Sequence, residues 1–168
     1  MSPISVRDFF TDKTILVTGV TGFVGKVLLE KILSSIPRIG KIYLFIRNKP
    51  KFTLQERMWK EIFQSEIFVN LFKEQPELFK IVKERVVPVN GDLATEGLGL
   101  EPAIRRQLCE EVEVILNSAA SVNFDDPIRD AMQINYFGAK RILELAQNCK
   151  NLIALHHVST CYVNSNLP

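Results

Sequence analysis

Gly19, Gly22 and Gly25, in the run Thr18-Gly-Val-Thr-Gly-Phe-Val-Gly-Lys26, stand between the apolar segment Ile15-Leu16-Val17 and an amphipathic stretch. A strand that passes through such a turn into a helix leaves the chain few folds to choose from. Each glycine has its own steric reason: a tight turn out of the strand, close approach of backbone to phosphate oxygens, and close contact between helix and sheet. The helix N-terminus adds free N–H groups and the positive end of the helix dipole. The arrangement is that of a pyrophosphate site. The nearest rival, a P-loop, has four residues between its glycine and Gly-Lys, and then Ser or Thr. Here five residues separate Gly19 from Gly25, and Val27 follows Lys26.

The residues after the turn support a βαβ unit. Val24, Val27, Leu28 and Ile32 share one helical face from Phe23 to about Ser34, and Lys41-Ile-Tyr-Leu-Phe-Ile46 reads as a second strand. Thr53-Leu-Gln-Glu56 has capping-box spacing, and Leu54, Met58 and Ile62 continue it as a helix. Leu78 to Lys83 reads as a short second helix. So long a connection predicts an excursion beyond the minimal fold. Arg85-Val-Val-Pro-Val-Asn90 reads as the third strand, with Pro88 confining it to a sheet edge. Val112 to Asn117 and Leu152 to Val158 are the fourth and fifth strands. Between them Ala131, Ile134, Asn135, Gly138, Ile142, Leu145, Ala146 and Cys149 form a helical stripe that places Asn135 in the core. The alternation predicts an α/β fold: a doubly wound parallel sheet of order 3-2-1-4-5 with helices on both faces.

With 168 residues, 46% of them apolar, the chain suffices for one ordinary core, so one domain over 1–168 is expected. A net charge of +2 offers no basic face for nucleic acid. Cys109, Cys149 and Cys161 show no paired spacing, as expected of reduced thiols in an intracellular, cytosol-facing protein, with no metal site. The N-terminus mixes charge and proline where a signal peptide has a continuous apolar core. No apolar stretch approaches the about 18 residues that span a membrane.

Six segments occur in one order over nearly the whole chain: the glycine run continued to Lys31, Ile46-Arg-Asn-Lys49, Asn90-Gly-Asp-Leu93, Asn117-Ser-Ala-Ala-Ser-Val-Asn-Phe124, Asn135-Tyr-Phe-Gly138 and His157-Val-Ser-Thr-Cys-Tyr-Val-Asn164. Together they resemble the Rossmann-type extended short-chain dehydrogenase/reductases, and within them the NADPH-binding part of the fatty acyl-CoA reductases. Gly-Lys-x-Leu-x-Glu-Lys and His-Val-Ser-Thr-x-Tyr point to the acyl-CoA branch.

The resemblance implies NADPH as cofactor, with Thr18, Gly19, Thr21, Gly22, Phe23, Val24 and Gly25 around its pyrophosphate. The residue at the end of the second strand meets the adenosine ribose, an acid for NAD and a cation for NADP. Here that stretch carries Arg47 and Lys49 and no acid, which suits a dianionic 2′-phosphate. By resemblance, Asp92, beside Leu93, accepts from the adenine amino group; a helix-capping aspartate would look the same. Ser118, Ala119 and Ala120 let backbone approach the cofactor, as a close helix–sheet contact would also require. Asn135 is read as the prop of the catalytic lysine, or as a core amide with satisfied partners. Thr160 holds the substrate carbonyl, with Ser159 as its neighbour; a strand-end pair capping backbone is the alternative. His156 and His157 are read as structural.

The family's proton donor is a Tyr-x-x-x-Lys pair downstream of that strand, and this chain carries none there. Tyr136-Phe-Gly-Ala-Lys140 has the spacing but precedes Thr160. Both residues are expected on the rim, off the apolar stripe. The isolated chain is therefore expected to bind cofactor without turnover and, with an open sheet edge, to be marginally soluble unless covered. The expected substrate is a long-chain fatty acyl-CoA, reduced through the aldehyde to the alcohol, and a homo-oligomer is open. Rivals are a non-catalytic NADP(H)-binding module, a carboxylic-acid or peptidyl-thioester reductase domain, and a sugar-nucleotide or steroid dehydrogenase. A carboxylic-acid or peptidyl-thioester reductase domain is expected to follow a carrier domain, and the short stretch from Met1 to Thr11-Asp12 reads as holding none.

Overall fold

A computed structural model of the chain describes residues 5–160. Cys161 and the Tyr162-Val-Asn164 end of the sixth segment lie outside them. The elements run α1 (Val6–Phe10), β1 (Ile15–Thr18), α2 (Phe23–Ser35), β2 (Ile42–Ile46), α3 (Leu54–Met58) continued by a π-turn (Trp59–Phe63), α4 (Glu66–Glu74), α5 (Glu77–Arg85) and β3 (Val86–Asn90). A 3₁₀ turn (Glu96–Gly99), α6 (Pro102–Glu111), β4 (Val114–Asn117), α7 (Ile128–Met132), a second π-turn (Gln133–Phe137), α8 (Gly138–Gln147) and β5 (Ala154–His157) follow.

The strands form one parallel sheet in the order β3-β2-β1-β4-β5. Its centre is buried on both faces: every residue of β1, β2 and β4 is buried, which explains why they read as continuous apolar runs. Alternate side chains feed two cores. Ile15, Val17, Ile42, Leu44, Ile46, Val114 and Leu116 pack with α2, α4 and α5 on one face. Leu16, Tyr43, Phe45, Val89 and Ile115 pack with α6 and α8 on the other. Pro88 sits on the edge strand β3 opposite Leu44, where its missing N–H leaves no central ladder bond unmade.

The excursion between β2 and β3 is helical throughout most of its length. Thr53 and Glu56 form the expected capping box, Thr53 Oγ1 accepting from the Glu56 N–H at 3.2 Å and Glu56 accepting from the Thr53 N–H at 2.9 Å. The helix it starts is interrupted by the π-turn and a turn at Gln64-Ser65, so one expected helix becomes α3 and α4. An aromatic cluster joins the pieces: Phe63 lies 5.0 Å from Phe68, and Trp59 5.5 Å from Phe79. The short helix expected at Leu78 extends in α5 to Arg85. Among the described residues, no helix is long and apolar enough to cross a membrane.

At the end of the sheet opposite the β1–α2 turn, Glu111 of α6 accepts from Lys41 Nζ at 2.5 Å and from the buried Tyr43 hydroxyl at 2.7 Å, while Gln107 donates to both Tyr43 and Glu111. The Lys41 hydrogen bond, foremost, holds the Glu111 carboxyl below the ordinary carboxylate range, against the opposing effect of burial. A carboxyl depressed in the folded state contributes stability above its unfolded pKa and loses it as pH falls through the folded value. Glu111→Gln is therefore expected to flatten the loss of stability on acidification from about pH 5, measured by denaturant unfolding at a series of pH values. An unchanged slope would show that this carboxylate is not linked to folding. Across the second core, Cys149 is packed near Cys109, and burial pushes its thiol up to about 12, leaving it a poor nucleophile.

Candidate functional site

The glycine turn works through contacts that leave no room for a side chain. Gly19 adopts φ +75°, and a Cβ on it would lie 2.8 Å from the Ala119 nitrogen. A Cβ on Gly25 would lie 2.2 Å from the Gly19 carbonyl oxygen, so α2 rests directly on the turn that precedes it. Gly22 is the N-cap of α2 and carries no side chain to cap the helix, which leaves the first-turn N–H groups of α2 without a side-chain acceptor.

These elements open onto a cleft of about 530 Å³ at the carboxyl ends of the strands. Gly19, Thr21, Gly22, Phe23, Val24 and Gly25 form one wall, and Ser118, Ala119 and Ala120 from the end of β4 form another. Arg47, Asp92 and Leu93 close it at the ends of β2 and β3. A neighbouring hollow of about 480 Å³ shares Arg47 and Asp92 and adds Lys49, Asn90 and Gly91. Residues far apart in sequence thus meet at the switch between β1 and β4, where open α/β sheets bind ligands.

Three expected positions differ from their sequence reading. Thr18 is fully buried and supports the floor of the cleft: its hydroxyl donates to Asn117 Oδ1 at 2.7 Å and accepts from the N–H groups of Ser118 and Ala119, each at 3.1 Å. Asn117 Nδ2 donates in turn to His157 Nδ1 at 3.0 Å, tying β5 to the same floor. Asn135 is exposed rather than in the core. Its side chain lies on the second π-turn, whose extra residue rotates the preceding part of the stripe away from the regular helical period. There Asn135 accepts from the Ser121 N–H at 2.8 Å and donates to the Ser121 carbonyl at 3.0 Å, clamping the loop after β4. Lys49, expected toward a phosphate, is paired with Glu61 at 2.8 Å. Ser159 and Thr160 follow β5 and are exposed, beside Val158, whose N–H donates to the Asn117 carbonyl at 2.9 Å. Tyr136 and Lys140 are exposed, Tyr136 by 59%.

The sequence model of the male sterility protein family matches residues 17–168, and so takes in every element that lines the cleft. The chain belongs to this family. Its relatives include fatty acyl-CoA reductase 1 of Mus musculus, 38% identical over 163 residues that make up 97% of this chain and 31% of the relative. Fatty acyl-CoA reductase 8 of Arabidopsis thaliana is 39% identical over 95% of this chain and 33% of its own length. The chain thus spans about a third of the length of these relatives. Among solved structures, the terminal R domain of the myxalamid PKS-NRPS pathway superposes with a TM-score of 0.68 at 33% identity, over 91% of this chain and 36% of that one.

One residue of this male sterility family member escaped the sequence reading. Arg57, on α3, is 4% exposed and lines both hollows. Its Nη1 donates to the Arg47 carbonyl and its Nη2 pairs with Glu61 at 3.0 Å. The capping box that starts α3 was the available signal, since it fixes where the helix begins and hence which residues face β2.

Proposed function

We propose that this chain binds NADPH and forms the cofactor-binding part of a reductase of long-chain fatty acyl-CoA thioesters, acting through the aldehyde to the alcohol. The observation that carries the reading is the cleft that joins the uncapped α2 N-terminus, the bare glycine cradle and Arg47 after β2. The cradle suits a dinucleotide because Gly25, without a Cβ, lets α2 rest directly on the turn and so brings its N-terminus to the mouth of the cleft. The N–H groups of α2 would hold the pyrophosphate, and Arg47 would meet the 2′-phosphate. Asp92, whose Oδ1 accepts from the Ala94 N–H at 2.9 Å, would keep its other oxygen as an acceptor for the adenine amino group, next to Leu93 in the cleft wall. Ser118, Ala119 and Ala120 present backbone to the ribose, held in place by Thr18.

When bound, NADPH supplies the hydride for the thioester carbonyl carbon. Thr160, with Ser159 beside it, donates a hydroxyl hydrogen bond to that carbonyl oxygen and orients it. Asn135 fixes the loop of Ser121, which lines the cleft. Identity with named fatty acyl-CoA reductases supports the substrate class. The 33% identity with a PKS-NRPS terminal R domain favours a second reading, a reductase of carrier-bound peptidyl thioesters.

The test is an assay of the full-length gene product with NADPH and long-chain acyl-CoA, following NADPH loss and free CoA thiol together. One CoA released for every two NADPH consumed is expected, the first hydride freeing the thiol and the second reducing the aldehyde. NADPH binding without CoA release would overturn the acyl-CoA assignment, and turnover of a carrier-bound thioester alone would favour the second reading.

A further inference from the structure

The two hollows share a wall at Arg57, and that residue presents an unusual balance of partners. A guanidinium has N–H donors at three nitrogens, and buried donors are ordinarily all satisfied. In Arg57, Nη1 is committed to the Arg47 carbonyl and Nη2 to Glu61. Nε is the one buried side-chain nitrogen or oxygen among the described residues without a hydrogen-bond partner. The side chain is 5% exposed. Arg47, Lys49 and Asp92 are the other charged residues lining these hollows.

Lys49, the other cation close in sequence, is differently placed. Its side chain is 52% exposed and bound to the second oxygen of Glu61. Glu61 therefore bridges the two cations, and the Arg57 hydrogen bond, with Lys49 assisting, holds its carboxyl below the usual range. The bridge leaves Lys49 directed at a carboxylate and Arg57 with a free donor.

We propose that Arg57 is the specificity-determining residue for a phosphate on the adenosine ribose, with Glu61 holding Lys49 out of that role. Its Nε–H supplies the donor that the phosphate oxygen accepts, beside Arg47, whose backbone Arg57 also fixes. Selectivity for a 2′-phosphorylated dinucleotide then resides on a helix of the β2–β3 excursion, an element that the glycine turn does not itself require. The inference rests on the NADPH reading above and assigns its discriminating contact.

The experiment is a paired titration of NADPH and NADH against the chain and its Arg57→Met and Lys49→Met variants. In the unmodified chain NADPH is expected to bind about tenfold or more tighter than NADH. Loss of a hydrogen bond to a charged group in Arg57→Met is expected to weaken NADPH by roughly ten- to a hundredfold and NADH by less than about threefold. Lys49→Met is expected to leave the ratio within about threefold. Equal weakening of both nucleotides by Arg57→Met would reduce Arg57 to a structural role, and loss of the ratio in Lys49→Met instead would overturn the assignment. A chain that binds both nucleotides equally before any substitution would contradict the NADPH reading itself. Because a buried arginine can be needed for folding, a second measurement uses the unmodified chain. The Nε–H resonance of Arg57 is expected to move on addition of 2′,5′-ADP and to stay in place with 5′-ADP; movement with both or with neither would overturn the proposal.

Discussion

Gly25→Ala is expected to weaken dinucleotide binding by on the order of a hundredfold and to destabilise the fold. The new Cβ would sit 2.2 Å from the Gly19 oxygen, 2.6 Å from the Gly19 carbonyl carbon and 2.8 Å from the Val20 Cα. All three are main-chain atoms, so no side chain can rotate away and α2 must retreat from the turn. Alanine is intrinsically better in a helix by about 1 kcal/mol, but overpacking costs about 1–3 kcal/mol and wins at this contact. Retreat of α2 also moves its N–H groups from the position that a pyrophosphate needs, for a loss of on the order of a hundredfold in affinity. The control is Gly22→Ala, whose Cβ would lie 3.3 Å from the Gly19 oxygen and needs only a small adjustment. Thermal unfolding and nucleotide titration of both variants separate the two sites. Equal behaviour would show that the helix–turn contact is not what Gly25 provides.

Thr18→Val should produce the next largest effect. Valine matches threonine in shape but removes the hydroxyl, leaving Asn117 Oδ1 without a donor and the Ser118 and Ala119 N–H groups without their acceptor. At about 1–3 kcal/mol for each buried polar group left unpaired, partly relieved by relaxation, the variant is expected to lose about 2–4 kcal/mol. For a chain of this size that corresponds to roughly 5–15 °C in melting temperature. Nucleotide affinity should fall by about tenfold as the Ser118–Ala119 backbone loosens. Thr18→Ser restores the hydroxyl and should recover most of both losses. A Thr18→Val protein that melts with the wild type would mean that the hydroxyl contributes little to the floor.

The sheet was legible in the sequence because its chemistry is local. Ile15-Leu16-Val17 and Ile42 to Ile46 are buried on both faces, and continuous apolar runs announce such strands. Pro88 marked the edge for a reason that holds without knowing the partner strand. The glycine wall and the small residues after β4 were legible for the same reason, since each position excludes a side chain. What escaped notice depends on packing between distant segments. Arg57 looks like any charged residue in a polar helix, and only the docking of α3 beside β3 buries it. Lys49 looked available until Glu61, twelve residues on, was placed against it. Asn135 leaves the core because a stripe drawn at 3.6 residues per turn fails where the helix inserts a π-turn. Thr18 carried no sign that its hydroxyl serves Asn117, ninety-nine residues away.

Taken together, the glycine cradle, Arg47 after β2 and the acceptor at Asp92 make one claim, that this chain holds NADPH in the cleft between β1 and β4. Calorimetric titration of the chain with NADPH and with NADH tests that claim most directly. Saturable binding at one site, with NADPH preferred by about tenfold or more, is the predicted result. Binding of neither nucleotide, or a preference for NADH, would contradict it.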